Sequence, residues 1–242
     1  MADTPISTDL RGAAARATAE RLADAARVLV DEPTAQQTFD RIVALAVDMI
    51  PGCTAAGISQ VTRKGVRTAA ATDDAVRVGD KMQYDLGEGP CIDTIRDHEL
   101  VLSGDVEDDP RWPRWGPAVA STLGVRSMMC FRLYTSETTH GAINLYSDAL
   151  GAFSSADEPM LAMFAGVAAA SITSAETQDQ LTSAIATRMV IGQAQGVIME
   201  RFKLSAANAF AVMSRLSQDT NTKLVTVAEQ IVATGEVPGT ST

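Results

Sequence analysis

Three helical periods follow one another over residues 187–236 with almost no loop between them. Ile191, Ala194, Ile198 and Phe202 form one apolar stripe, Ala209, Met213, Leu216 and Thr220 a second, and Leu224, Val227, Ala228 and Ile231 a third. Ser205 suits the N-cap of the second helix, and Thr220 or Asn221 that of the third. Gly235 and Pro238 are stop signals. The earlier chain is patterned differently. Residues 10–31 are Ala-rich and read as a helix with a narrow stripe of Leu22, Ala25, Ala26 and Leu29. Residues 35–50 predict a second helix through Phe39, Ile42, Val43, Ala46 and Ile50, closed by Pro51-Gly52. β-like runs follow at 55–61, 66–71, 100–102, 127–134 and 141–146. Between them, 73–80 reads as polar and irregular, Pro90 opens a short helix over 92–96, 105–117 is a loop, and 119–123 a short helix. Beyond Ser154 a helix carries Met160, Met163, Phe164, Val167 and Ile172. Only Pro159 and Gly166 interrupt the sequence from there to Ile191, so one long helix or two nearly coaxial ones are expected.

This order predicts an α+β fold: an antiparallel sheet with helices on one side, followed by an all-α three-helix module. The expected divisions are an N-terminal tail and helix over 1–34, a sensor-like body over 35–175, the helical module over 176–236 and a disordered tail over 237–242. Residues 1–9 are also expected to be disordered.

The net charge of −10 argues against a nucleic-acid footprint over the whole chain. Residues 181–233, however, hold five basic against three acidic side chains, and the remainder 15 against 27. A mildly basic tail on an acidic body suits a nucleic-acid module joined to something else. The tail has no His or Cys, so binding suits it better than catalysis. Cys53, Cys91 and Cys130 are far apart and odd in number, which favours free thiols. The opening MADTPISTDL lacks the basic and apolar regions of a leader, and no run of eighteen apolar residues occurs. A cytoplasmic protein without a membrane span is expected.

The string Arg188-x-x-Ile191-Gly192-Gln193-Ala194-Gln195-Gly196-x-Ile198-Met199-Glu200-Arg201, with Ser205-Ala206-x-x-Ala209-Phe210 and Ser217-x-x-Thr220-Asn221-x-Lys223-Leu224, resembles an ANTAR domain. The resemblance implies a three-helix RNA-binding module of transcription antitermination regulators, acting as a dimer on paired hairpins. Residues 35–175 resemble a GAF domain. The likeness rests on Gly87-Glu88-Gly89-Pro90-Cys91, Asp109-Pro110-Arg111-Trp112-Pro113, Leu123-Gly124-Val125-Arg126-Ser127, Gly141-Ala142-Ile143-Asn144-Leu145-Tyr146 and Phe153-Ser154-x-x-Asp157-Glu158, in that order. It implies a sensor of a small molecule or signal, often dimeric.

Candidate RNA contacts are Arg188, Gln195, Arg201, Lys203, Asn221 and Lys223. Arg188 and Gln195 are seven apart, on one edge of the first helix, from which side chains can reach a phosphate or a splayed base. Many ANTAR domains carry Lys where this chain has Gln195. Candidate ligand contacts are Gly87, Gly89, Cys91, Trp112 and Trp115. Gly87-x-Gly89 precedes a helix whose free N–H groups can hold an anion, although a tight turn is the commoner use. Cys91 at that helix start favours thiolate, and the two tryptophans form an aromatic lid or pin their loop to the sheet. His98 and His140 read as exposed loop and turn residues rather than haem ligands. Asp105, Asp108 and Asp109 lack ordered metal-ligand spacing. Asn144 is followed by Leu145, not the Lys expected for cyclic GMP binding.

The resemblances thus imply a signal-responsive regulator rather than an enzyme, with RNA hairpins and a second copy as partners. No cofactor is expected beyond an unidentified small molecule or an upstream signalling protein for the GAF domain. One alternative is a GAF-type redox enzyme acting on methionine sulfoxide. Free methionine sulfoxide reductases share the turn at Gly87–Cys91, but their second loop carries a catalytic Cys where this chain reads Asp109–Trp115. The other alternative is a dimeric ligand-binding module that binds no RNA.

Overall fold

The computed structural model describes residues 6–97, 99–136 and 138–237, with side chains from residue 16 onward. The readings of residues 1–5, His98 and 238–242 lie outside it. The chain forms two compact units, Met1–Glu176 and Thr177–Thr242.

The first unit is built on an antiparallel sheet. Its strands are β1 (Ala55–Thr62), β2 (Gly65–Ala71), β3 (Leu100–Ser103), β4 (Ser127–Tyr134) and β5 (Thr139–Ser147), in the order β2-β1-β5-β4-β3. Helices cover both faces, not one. On one face α1 (Ile6–Val30), α2 (Ala35–Met49) and the start of α6 (Glu158–Phe202) pack against Ile58, Met129, Phe131, Ile143 and Leu145. On the other, α3 (Asp74–Leu86), α4 (Pro90–Arg96) and α5 (Trp115–Leu123) enclose Trp112, Trp115, Met128, Cys130 and Tyr146. Strand β4 explains the difference. Met128 and Cys130 point one way, Met129, Phe131 and Leu133 the other, and all are buried. A strand apolar on both sides needs a cover on both.

Several local expectations are corrected. Residues 74–80 open helix α3, capped by the Asp73 carboxylate accepting from Val76 N–H. Helix α1 starts at Ile6, so residues 6–9 are helical. It is part of the first unit's core, with Leu22, Ala25 and Leu29 buried. His140 lies in β5, not in a turn, with its Nε2 2.9 Å from Thr173 Oγ1 on α6. On α6 the buried face is Leu161, Phe164, Ala165, Ala168, Ala169 and Ile172, whereas Met163 is exposed. Helix α6 has 45 residues and is long and apolar enough to cross a bilayer by length and composition, with mean hydropathy 1.3 over an 18-residue window. Its buried face nevertheless sits on the sheet.

In the second unit, the end of α6 packs with α7 (Ala206–Asp219) and α8 (Leu224–Thr234). The core is Ala194, Ile198, Ala209, Met213, Val227, Ala228, Ile231 and Val237. Val237 is thus packed rather than part of a disordered tail. Ser205 caps α7 as expected. Helix α8 starts from Lys223 without a side-chain cap, because Asn221 takes a left-handed turn conformation (φ 49°). Gly235 ends α8 in the left-handed region.

Candidate nucleic-acid interface and sensor centre

In the first unit, α3 places Val76, Gly79, Asp80 and Gln83 on one buried face, at i, i+3, i+4 and i+7. Two of these four are polar, and they meet polar groups of β1 and β5. The Asp80 carboxylate accepts hydrogen bonds from Tyr146 Oη, from Asn144 Nδ2 (3.0 Å) and from Thr68 Oγ1 (2.9 Å). Asn144 Nδ2 also donates to Ser59 Oγ (2.8 Å), which is 2.6 Å from Tyr84 Oη. Asp80 has no solvent exposure. Burial pushes its carboxyl up to about 6, against the opposing pull of the donors. Gln83 Nε2 and Asn144 Oδ1 are buried with no hydrogen-bond partner among the described residues. Sequence analysis missed this centre because the stripe that exposes a helix to view is normally apolar, and here half of it is not.

The five proposed ligand contacts are used by the fold itself. Gly87 ends α3 in the left-handed region. Gly89 (φ 134°) leaves room for the Gln83 amide, since a Cβ there would lie 2.3 Å from Gln83 Oε1. That oxygen accepts the Cys91 N–H at 2.9 Å, so the start of α4 already has its acceptor from within the chain. Cys91 is fully buried, and burial pushes its thiol up, the reverse of the lowering expected from the helix start. Trp112 and Trp115 are buried edge to face, with centroids 5.9 Å apart. Their ring N–H groups donate to Asp93 Oδ2 and Gly79 O. A cleft of about 190 Å³ does open near this centre, lined by residues that include Thr54, Asp73, Val76, Leu123, Tyr146 and Asp148. None of the five candidates lines it. Tyr146 forms part of its wall and reaches Asp80 behind it.

In the second unit, the six candidate RNA contacts divide. Arg188, Asn221 and Lys223 are exposed. Gln195 is half-buried, and its Nε2 donates to Ala206 O (2.6 Å), tying α6 to the start of α7. Arg201 Nη1 donates to Gly235 O (2.7 Å), holding the end of α6 to that of α8. Lys203 is exposed and pairs with Glu200 at 2.5 Å. Phe202, expected in the core stripe, is exposed instead.

A GAF domain model matches residues 32–173, more than half of the chain, and an ANTAR domain model matches residues 179–232. The chain belongs to the GAF family and carries an ANTAR domain. The GAF domain of a phosphoenolpyruvate-protein phosphotransferase from Coxiella burnetii is similar at 15% identity and TM-score 0.54, covering 67% of this chain and 96% of that one. A free methionine-R-sulfoxide reductase from Neisseria meningitidis is similar at 17% identity and TM-score 0.52, covering 66% and 90%. The GAF domain of an Acinetobacter phosphotransferase of the same description gives 12% and 0.51, covering 67% and 97%. At these identities the likeness shows the fold alone. No curated protein matches the sequence. The polar centre thus lies inside the GAF domain, and the three-helix core inside the ANTAR domain.

Proposed function

We propose that this protein is a cytoplasmic, signal-responsive regulator that binds RNA hairpins through its ANTAR domain to control transcription termination, with the GAF domain as sensor. The observation that carries this reading is the ANTAR match over 179–232, which spans all of α7, most of α8 and the part of α6 that packs on them. Arg188, Asn221 and Lys223 stand free of that core, where they can meet phosphate or base edges. Gln195, Arg201 and Lys203 contact RNA while also holding the helices together. The working divisions remain 1–34, 35–175 and 176–236.

The protein acts as a homodimer on this reading, but not through the surfaces expected from sequence. Phe164, Ile172, Leu22 and Leu29 are occupied within their own chain. Leu181, Ile185 and Met189, four apart on α6, are exposed. Gly192 and Gly196 continue that face, with open space where a Cβ would stand. A second copy of this helix covers the stripe. The reductase reading is disfavoured: burial keeps Cys91 a thiol, and the Asp109–Trp115 loop offers buried tryptophans in place of a second cysteine.

The test is a gel shift of the full protein with tandem hairpin RNA. Binding should weaken steeply as salt rises, because phosphate contacts release counterions. Arg188→Ala and Lys223→Ala should each reduce affinity several-fold and leave the thermal melt unchanged. Wild-type affinity in both variants would remove these residues from the interface. Absence of a shift at low salt would favour a dimeric ligand-binding module instead.

A further inference from the structure

The two units treat aromatic residues in opposite ways. In the GAF domain Phe39, Phe131, Phe153, Phe164, Trp112 and Trp115 are all buried. The ANTAR core is wholly aliphatic, alanine and methionine. The only aromatic residues in 177–242 are Phe202 and Phe210, and both stand in solvent, 41% and 44% exposed. A core that excludes the two largest apolar side chains available to it leaves them for something outside.

Their surroundings indicate what. Phe210 lies in the second turn of α7, and its neighbours one turn away, Ala206, Ala207 and Ser214, are small. The ring therefore stands clear of the helix surface. Ala206 accepts the Gln195 amide, so the face bearing Phe210 adjoins the edge of α6 that carries Arg188, Gln195 and Phe202 at seven-residue spacing. Phe202 ends that edge, with the Arg201 guanidinium 6.0 Å from its ring centroid and Lys203 next in the chain. Open rings beside cations and an amide are the equipment for unpaired nucleotides: bases stack on the rings while cations hold the backbone. A docked apolar helix would ask for aliphatic neighbours around Phe210, and there are none in its flanking turns.

We propose that Phe210, with Phe202 beside it, is a stacking platform for unpaired bases in the loop of an RNA hairpin. This rests on the RNA-binding reading above and assigns the loop, rather than the paired stem, to the corner between α6 and α7. Arg188 and Lys223 then contribute salt-dependent attraction, and the phenylalanines a salt-independent contact to splayed bases.

The experiment uses the full protein and a hairpin RNA with 2-aminopurine at one loop position at a time. For the wild type, fluorescence at one or more positions should be quenched on binding. Phe210→Ala should abolish that quenching and weaken binding by about tenfold or more, with the slope of affinity against salt unchanged. Phe210→Tyr should restore both signals. Phe210→Leu, which keeps an apolar side chain without a ring face, should not. Phe202→Ala should act in the same direction to a smaller extent. Full affinity and quenching in Phe210→Ala, or full rescue by Phe210→Leu, would overturn the platform while leaving RNA binding intact. A Phe210→Ala variant that turns monomeric would assign the ring to a second copy and likewise overturn it. A wild type that binds no hairpin at low salt defeats the RNA reading itself and the platform with it.

Discussion

Asp80 is the residue on which the GAF interior turns. Its carboxyl is raised from 3.8 to about 6 by burial, while Tyr146, Asn144 and Thr68 donate to it. The folded value lies above the unfolded one, so the folded state holds the proton more tightly. Its contribution is therefore full below about pH 4 and is lost as pH rises through about 6. A shift of about two units corresponds to roughly 3 kcal/mol. In Asp80→Asn the amide oxygen can still accept from Tyr146 and Asn144, and the amide nitrogen can donate to the Thr68 hydroxyl. Urea unfolding at about pH 4.5 and about pH 7.5 should show wild type losing about 2–3 kcal/mol relative to this variant across that interval. Parallel pH profiles would mean that Asp80 is not held in the folded state as described. Cys91 illustrates the same physics. A helix start alone lowers a thiol pKa, but removal from water is the larger effect here.

At the level of elements, β5 depends on one glycine. Gly141 has φ 149°, and a Cβ there would lie 1.8 Å from Ser59 O on the paired strand β1. Close approach of two backbones leaves no flexible side chain to move aside. Gly141→Ala should cost at least about 2 kcal/mol, read as a lower melting temperature of the GAF transition. An unchanged melt would show that β1 and β5 can part without loss. Helix α3 shows why an amphipathic pattern can be overlooked. Its inward face carries Asp80 and Gln83, whose polarity hides the period, yet Asp73 is a regular N-cap and Gly87 a regular stop. At the turn before α8, local chemistry misled in the other direction. Asn221 resembles a cap, but its positive φ serves the turn, and Ser217 Oγ bonds to Thr222 O to close it.

For the molecule as a whole, the proposed dimer concentrates on α6. Leu181, Ile185 and Met189 are 55%, 65% and 58% exposed, an apolar row that water disfavours unless covered. Sedimentation at micromolar concentration should give a dimer for the wild type and a monomer for Ile185→Lys/Met189→Lys. Both variants should keep full helicity, since neither side chain supports its own chain's core. A monomeric wild type that binds tandem hairpins at full strength would defeat the dimer. Two copies side by side would place two RNA-binding faces on one particle, so the second hairpin would bind at high effective concentration. A GAF ligand could alter such an assembly only by favouring one arrangement over another.

Periodicity and capping were enough to read most helices, the five strands and the three-helix module from sequence, because each depends on neighbours within a few residues. Motif order made the two families legible for the same reason. What tertiary structure decided was which side of each element met what. The second cover on the sheet follows from β4 being buried on both faces, and the burial of α1 from its place on α2. The closing of α4 on Gln83 joins residues distant enough that no local pattern records it. The exposure of Phe202 and Phe210 likewise follows from how three short helices fill a small core. An apolar side chain is written the same way in sequence whether it is packed or left out, and only the space around it tells the two apart.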